Sequence, residues 1–207
     1  MSLPGSASLS RVLIVEGQDD EHVVQRICER CAPSPSFHVE RRDGIHRLLD
    51  DLGADILLPG RQSVGIVVDA NDNVSARWAA LRSRLAEEDV DIPDSPEASG
   101  IIVTGGKGRP DVGVWLMPDN SSVGQLEDFV VTMIPADDPV WPLAQRYIEG
   151  IPAPAFSAGK TLRAQLYAWL AARERPRHMG LAIRAGDLDV DGDLCQKFVD
   201  WLTRLFQ

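Results

Sequence analysis

A chain of 207 residues, 44% hydrophobic and 25% charged, has the length for one domain with a substantial core and the composition of a water-soluble globular protein. Its 21 basic and 31 acidic residues give a net charge of -10, which excludes a protein that coats nucleic acid through a wholly basic surface. No apolar run approaches the roughly 20 residues of a membrane-spanning helix, and three cysteines, an odd number, exclude a closed disulfide framework.

The N-terminal MSLPGSASLS lacks the basic region and apolar core of a signal peptide. It reads as a disordered leader over residues 1–10, and a cytoplasmic location with no membrane partner is expected. Val12 to Val15 predict a strand at about 11–16 that runs into Glu16 and Gly17. A helix at about 20–31 follows, with Val23, Val24, Ile27 and Cys28 at helical spacing. Cys28 and Cys31 form a CxxC on that helix with no second pair, so they read as reduced thiols, and Cys195 has no evident partner. FHVERR predicts a short second strand, and Ile45, Leu48, Leu49 and Leu52 share a helix face. VGIVVDA is a third strand, apolar on both faces and ending at Asp69, followed by a helix with Trp78, Leu81 and Leu85 inward. GIIVTGG and VGVWLMP predict two further strands around GGKGRPD. That separator reads as a hairpin turn; it lacks the GK[ST] ending and following helix of a P-loop.

From Gly124 onward the pattern is helical. GQLEDFVVTMI, DPVWPLAQRYIEGI, GKTLRAQLYAWLAARE and GDLCQKFVDWLTRLF each predict a helix. Leu162, Leu166, Trp169 and Leu170 recur at core spacing, as do Phe198, Trp201, Leu202 and Leu205. Trp115, Trp169 and Trp201 read as core residues, and His22, His38, His46 and His178 show no pairing pattern. Continuous apolar strands separated by helices imply an α/β fold, a mostly parallel sheet flanked by helices. Residues 11–135 are expected to form this α/β core, and residues 136–207 a helical C-terminal extension packed on it as one compact unit.

In such sheets ligands bind beyond the carboxyl ends of the strands, and both Glu16 and Asp69 lie at carboxyl ends. If their strands are neighbours, the acids share one rim and need a cation or a proton to coexist. Asp119, straight after the strand VGVWLMP, is a candidate for the same rim. Glu127 and Asp128 are either site residues or first-turn acids that favour the helix dipole; Asp19, Asp20 and Glu21 read as helix-start acids. Residues 160–184 hold Lys160, Arg163, Arg173, Arg175, Arg177 and Arg184 against Glu174 alone, a basic segment able to meet a polyanion. Lys160, at a helix start, could donate to a phosphate.

VLIVEGQDDEHVV followed by VGIVVDANDN resembles the Toprim domain of topoisomerases, bacterial primases and the overcoming-lysogenization-defect nucleases, whose signature is a Glu-Gly after one strand and an Asp-x-Asp after a later one. GVWLMPDNSSVGQLEDFV, MGLAIRAGDLD and FVDWLTRLF extend the likeness, over most of residues 11–206, to a bacterial and archaeal Toprim-related family. The resemblance implies a Toprim-like (Rossmann-like) α/β fold and a Mg²⁺ site, with Mn²⁺ as a substitute. Glu16 and Asp69 would be the catalytic, metal-binding acids, and Gly17 would permit the tight turn and approach a phosphate. Asp20 would match the family's trailing acid. The second Asp-x-Asp position is Asn71, an uncharged ligand, with Asp72 as a neighbouring substitute. The implied function is Mg²⁺-dependent, nuclease-like phosphodiester chemistry on nucleic acid. The alternative is a noncatalytic module that binds a phosphate-bearing ligand or a protein partner. Neither Tyr147 nor Tyr167 lies in a pattern that fits topoisomerase chemistry.

Overall fold

Arg11–Val15 forms the first strand, β1, and it is apolar on both faces because helices cover both. This computed structural model describes residues 10–32, 37–106 and 108–207; residues 1–9 of the leader expected over 1–10, and Lys107 of the glycine-rich separator, lie outside them, whereas the Ser10 carbonyl accepts the N–H groups of Gln62 and Ser63. After β1 come α1 (Gln18–Cys31), β2 (His38–Arg41), α2 (Ile45–Leu57), β3 (Ser63–Asp69), α3 (Val74–Ala86), β4 (Ile101–Val103) and β5 (Asp111–Met117). The remaining helices are α4 (Leu126–Val131), α5 (Trp141–Glu149), α6 (Thr161–Ala171, after a 3-10 turn at Ala158–Lys160), α7 (Met179–Ala185) and α8 (Asp193–Leu205).

The sheet order is β2-β1-β3-β5-β4. Four strands are parallel, and β4 closes the edge antiparallel to β5, as the hairpin reading of the separator requires. Alternation along each strand sorts side chains into two layers. Val12, Ile14, Val64, Ile66, Val68, Val114 and Leu116 face α2 and α3, where Leu48, Leu52, Trp78, Leu81 and Leu85 meet them. Leu13, Val15, Val67, Trp115 and Met117 face the other way, into a cluster with Phe129, Leu166, Trp169, Phe198 and Trp201. The apolar side chains of residues 136–207 are thus continuous with those of the sheet.

Gly65 and Gly113 on β3 and β5 make that second contact close. A Cβ at Gly113 would stand 2.6 Å from Leu205 Cδ2, and one at Gly65 would stand 2.4 Å from Leu13 Cδ1. The C-terminal end of α8 therefore lies directly on the bare backbone of the central strands. The sequence pattern does not predict α7. It is seven residues long and carries Gly180, whose missing Cβ lets it lie against the backbone of His22 on α1. The three cysteines are free thiols. Among the described residues no helix is long and apolar enough to cross a membrane.

Candidate functional site: a carboxylate cluster at the strand ends

β1 and β3 are adjacent and parallel, with Val15 opposite Val67, so both chains leave the sheet at the same rim. Glu16 is the first residue past β1 and Asp69 the last of β3. The Asp69 N–H donates to Glu16 Oε1 at 2.9 Å, which ties the two strand ends together. Arg77 on α3 donates through Nε to the Asp69 carbonyl at 2.9 Å.

Two helix starts bring further acids to this rim. Asp20, in the first turn of α1, folds back so that its Oδ2 accepts the Gly17 N–H at 3.1 Å. Glu127, in the first turn of α4, is 4% exposed, and Leu126 beside it donates its N–H to the Asp69 carboxylate. Glu16, Asp20, Asp69 and Glu127 form one interacting group. Burial and the neighbouring carboxylates Asp20, Glu16 and Glu127 push Asp69 up to about 8. Burial, with Glu16 and Glu127 alongside, pushes Asp20 up to about 7. Glu16 is raised by burial, against the opposing effects of the Asp69 N–H and Arg77. One oxygen of each of two acids, Asp20 Oδ1 and Asp69 Oδ1, is buried with no hydrogen-bond partner. A buried carboxylate oxygen without a donor is costly, so the group is short of positive charge or of protons.

Besides Arg77, a second cation reaches the group. Arg163 on α6 donates through Nη1 to Glu127 Oε1 at 2.8 Å and through Nη2 to Asp19 Oδ2 at 2.7 Å. The Tyr167 hydroxyl donates to the same Asp19 oxygen at 3.2 Å. Beside the cluster is a polar pocket of about 360 Å³, lined among others by Asn71, Gly124, Glu127, Thr161, Arg163 and Gln165.

A family model described as a protein of unknown function (DUF3226) matches residues 10–207. The chain belongs to the DUF3226 family. No curated protein and no solved structure matches it.

Within this DUF3226 chain the sequence-derived candidates separate. Glu16, Asp20, Asp69 and Glu127 come together. Asn71 and Asp72 line the adjacent pocket instead. Asn71 has φ 53, a left-handed conformation that asparagine tolerates, and its backbone pairs in both directions with Gly124, at 2.7 and 2.9 Å. Asp119 is engaged elsewhere. Its carboxylate accepts the N–H and hydroxyl groups of both Ser121 and Ser122. Burial alone would raise it, but these four donors outweigh burial and hold the carboxyl below its ordinary value. Asp119 builds the loop after β5 rather than the cluster. Asp128 likewise caps α4, accepting the Gln125 N–H at 2.8 Å.

Gly17 serves a purpose other than a tight turn. Its φ of -141 is open to any residue, but a Cβ there would stand 3.2 Å from Asp20 Oδ2. The glycine leaves room for the returning carboxylate, which also occupies its N–H. Lys160 is exposed just before α6, next to the pocket-lining Gly159 and Thr161. His22 and His178, unpaired in the sequence pattern, place their rings 5.0 Å apart. Trp115, Trp169 and Trp201 are fully buried, whereas Tyr147 is 67% exposed.

Sequence reasoning missed the Arg163–Glu127–Asp19–Tyr167 network. A readable sign was present: Arg163 lies in the first turn of α6, where the helix dipole disfavours a cation. An arginine there calls for an anionic partner from another element.

Proposed function

We propose that this chain is a Toprim-like protein that carries out Mg²⁺-dependent phosphodiester chemistry on nucleic acid at the Glu16–Asp20–Asp69–Glu127 cluster. The observation that carries the reading is the pair of buried, unpartnered oxygens, Asp20 Oδ1 and Asp69 Oδ1, within a set of four mutually repelling carboxylates.

The donor set fits a hard divalent cation. All four groups are carboxylates, the ligand type Mg²⁺ prefers. Among the described residues no three His, Cys, Asp or Glu side chains stand as a ready-made ligand cage. Mg²⁺ held through one or two carboxylates, with waters filling its other positions, does not require such a cage. When bound, Mg²⁺ or Mn²⁺ supplies Lewis-acid polarisation of a phosphate ester and neutralises the acids.

The chain's own residues supply the rest. Without a metal, burial and the neighbouring carboxylates hold Asp69 at about 8 and Asp20 at about 7, so each can give up a proton to an incoming cation near neutrality. Glu16, fixed by the Asp69 N–H, orients the two strand tips relative to each other. Of the basic segment, Arg173 is taken up by Asp138 and Trp169. Arg175 and Arg184 make no ion pair among the described residues and line a surface depression with Arg177 and Leu181, which suits the positioning of a nucleic-acid backbone.

The withdrawal of Asp119 and the Asn71 at the second Asp-x-Asp position favour a second reading, a noncatalytic module that binds a phosphate-bearing ligand at the same rim. One series of measurements tests both. Thermal melts with and without millimolar Mg²⁺ or Mn²⁺ should show a rise in Tm that Asp69→Asn abolishes. Cleavage of labelled oligonucleotides, lost in Glu16→Gln, selects the enzyme; metal stabilisation with no turnover selects the module. A wild-type Tm indifferent to both ions would refute the metal site.

A further inference from the structure

Arg163 is 46% exposed at its side chain, yet it is held at both ends of its guanidinium by acids from two different helices, Glu127 on α4 and Asp19 on α1. Glu127 belongs to the buried cluster, and its side chain is 5% exposed. The ion pair thus runs from the floor of the cluster to the lining of the adjoining pocket. Among the pocket-lining residues Arg163 is the cation, facing Asp72, Glu127 and Asp128. Each acid takes one nitrogen of the guanidinium, so the planar fork, which can grip two oxygens of one phosphate, is divided between two single contacts.

We propose that Arg163 is the phosphate-binding residue of this pocket, stored against Glu127 and Asp19 as their counter-ion and released to a phosphate of the ligand once a divalent cation neutralises the cluster. The inference rests on the metal reading above and adds what the pocket beside the metal takes: the phosphodiester of a nucleic-acid strand. The electrostatics have a definite sign. A guanidinium on Glu127 opposes any second cation entering the same group, so Arg163 and the metal compete. Arg163 and a phosphate, by contrast, cooperate only after that competition is resolved in favour of the metal. Tyr167 keeps Asp19 hydrogen-bonded when the guanidinium leaves, which limits the cost of release.

The test is Arg163→Gln, with Arg163→Lys beside it, each checked for folding by a metal-free melt. Mn²⁺ affinity is measured by calorimetry near neutral pH. Affinity for a fluorescein-labelled oligodeoxynucleotide is measured by anisotropy in Ca²⁺. Arg163→Gln should bind Mn²⁺ about three- to tenfold more tightly, through loss of a competing charge, and bind the oligonucleotide about tenfold more weakly. Arg163→Lys should keep the wild-type Mn²⁺ affinity and still lose oligonucleotide affinity, because it retains the charge without the fork; this arm stands even if the glutamine variant does not fold. Mn²⁺ affinity unchanged or weaker in Arg163→Gln, or oligonucleotide affinity unchanged in either variant, overturns the role of Arg163 while leaving the metal site intact. A wild-type protein that gives no heat with Mn²⁺ removes the metal site itself, and this inference with it.

Discussion

Asp69→Asn should make the metal-free protein more resistant to alkaline pH. In the folded chain Asp69 stands at about 8 against an ordinary 3.8, because burial and then Asp20, Glu16 and Glu127 disfavour its anion. A carboxyl raised by folding contributes stability that is full below the unfolded value and is lost as pH rises through the folded one. Each pH unit in that interval is worth about 1.4 kcal/mol. Between about pH 6 and about pH 8 ordinary carboxylates are ionised in both states, and Asp69 is already half ionised at the upper limit, so its contribution over this interval is about 2 kcal/mol. Neighbouring Asp20 and Glu16 ionise more readily once Asp69 is neutral, which trims the observable difference to about 1–2 kcal/mol. Urea melts of wild type and Asp69→Asn across this range should diverge by that amount, with the variant gaining, and histidine effects cancel in the difference. Millimolar Mn²⁺ should flatten the wild-type slope and leave the variant's unchanged. Parallel stability curves in the absence of metal would refute the picture of mutually repelling, buried acids.

Asp119→Ala should cost about 1–2 kcal/mol through loss of the Ser121 and Ser122 contacts, most visibly above the pKa that these donors depress, while the metal-induced rise in Tm persists. Gly113→Ala should destabilise by about 1–3 kcal/mol in urea melts, since its methyl meets Leu205 and Trp201 in a filled core. Asn71→Asp, which restores the second acid of the Asp-x-Asp pattern at a position that tolerates φ 53, should tighten Mn²⁺ binding about threefold by calorimetry through added negative charge near the cluster.

The fold was readable where the local pattern and the tertiary environment agree. Val12 to Val15 and Val64 to Val68 are apolar throughout because α-helices cover both faces of the central sheet, and a doubly covered strand has no polar side to interrupt the run. Trp169, Phe198 and Trp201 repeat at helical spacing because one broad face of α8 meets the sheet and one face of α6 joins the same apolar cluster. What could not be read was set by distant packing. The short α7 exists because Gly180 fits against His22, 158 positions earlier in the chain, and no window of local sequence contains both partners. The closeness of His22 and His178 is a consequence of that same contact.

The site divides along the same line. Glu16 and Asp69 were legible because a strand's end is a local feature and parallel neighbours place their ends on one rim. Asp119 shared that sequence context, straight after an apolar strand, but Ser121 and Ser122 offered it four donors within three residues, and short-range hydrogen bonds claimed the carboxylate. Glu127 had the opposite fate. In sequence it is one more first-turn acid, indistinguishable from Asp128 beside it. Adjacent positions on a helix point about 100° apart, so Asp128 turns back to cap α4 while Glu127 turns inward toward Asp69 and Asp20. An acid driven inward needs a counter-charge, and the chain places it at the least favourable end of another helix, at Arg163. A charge set against its own helix dipole is stable only if a stronger partner holds it, so Arg163 and Glu127 each account for the other's position.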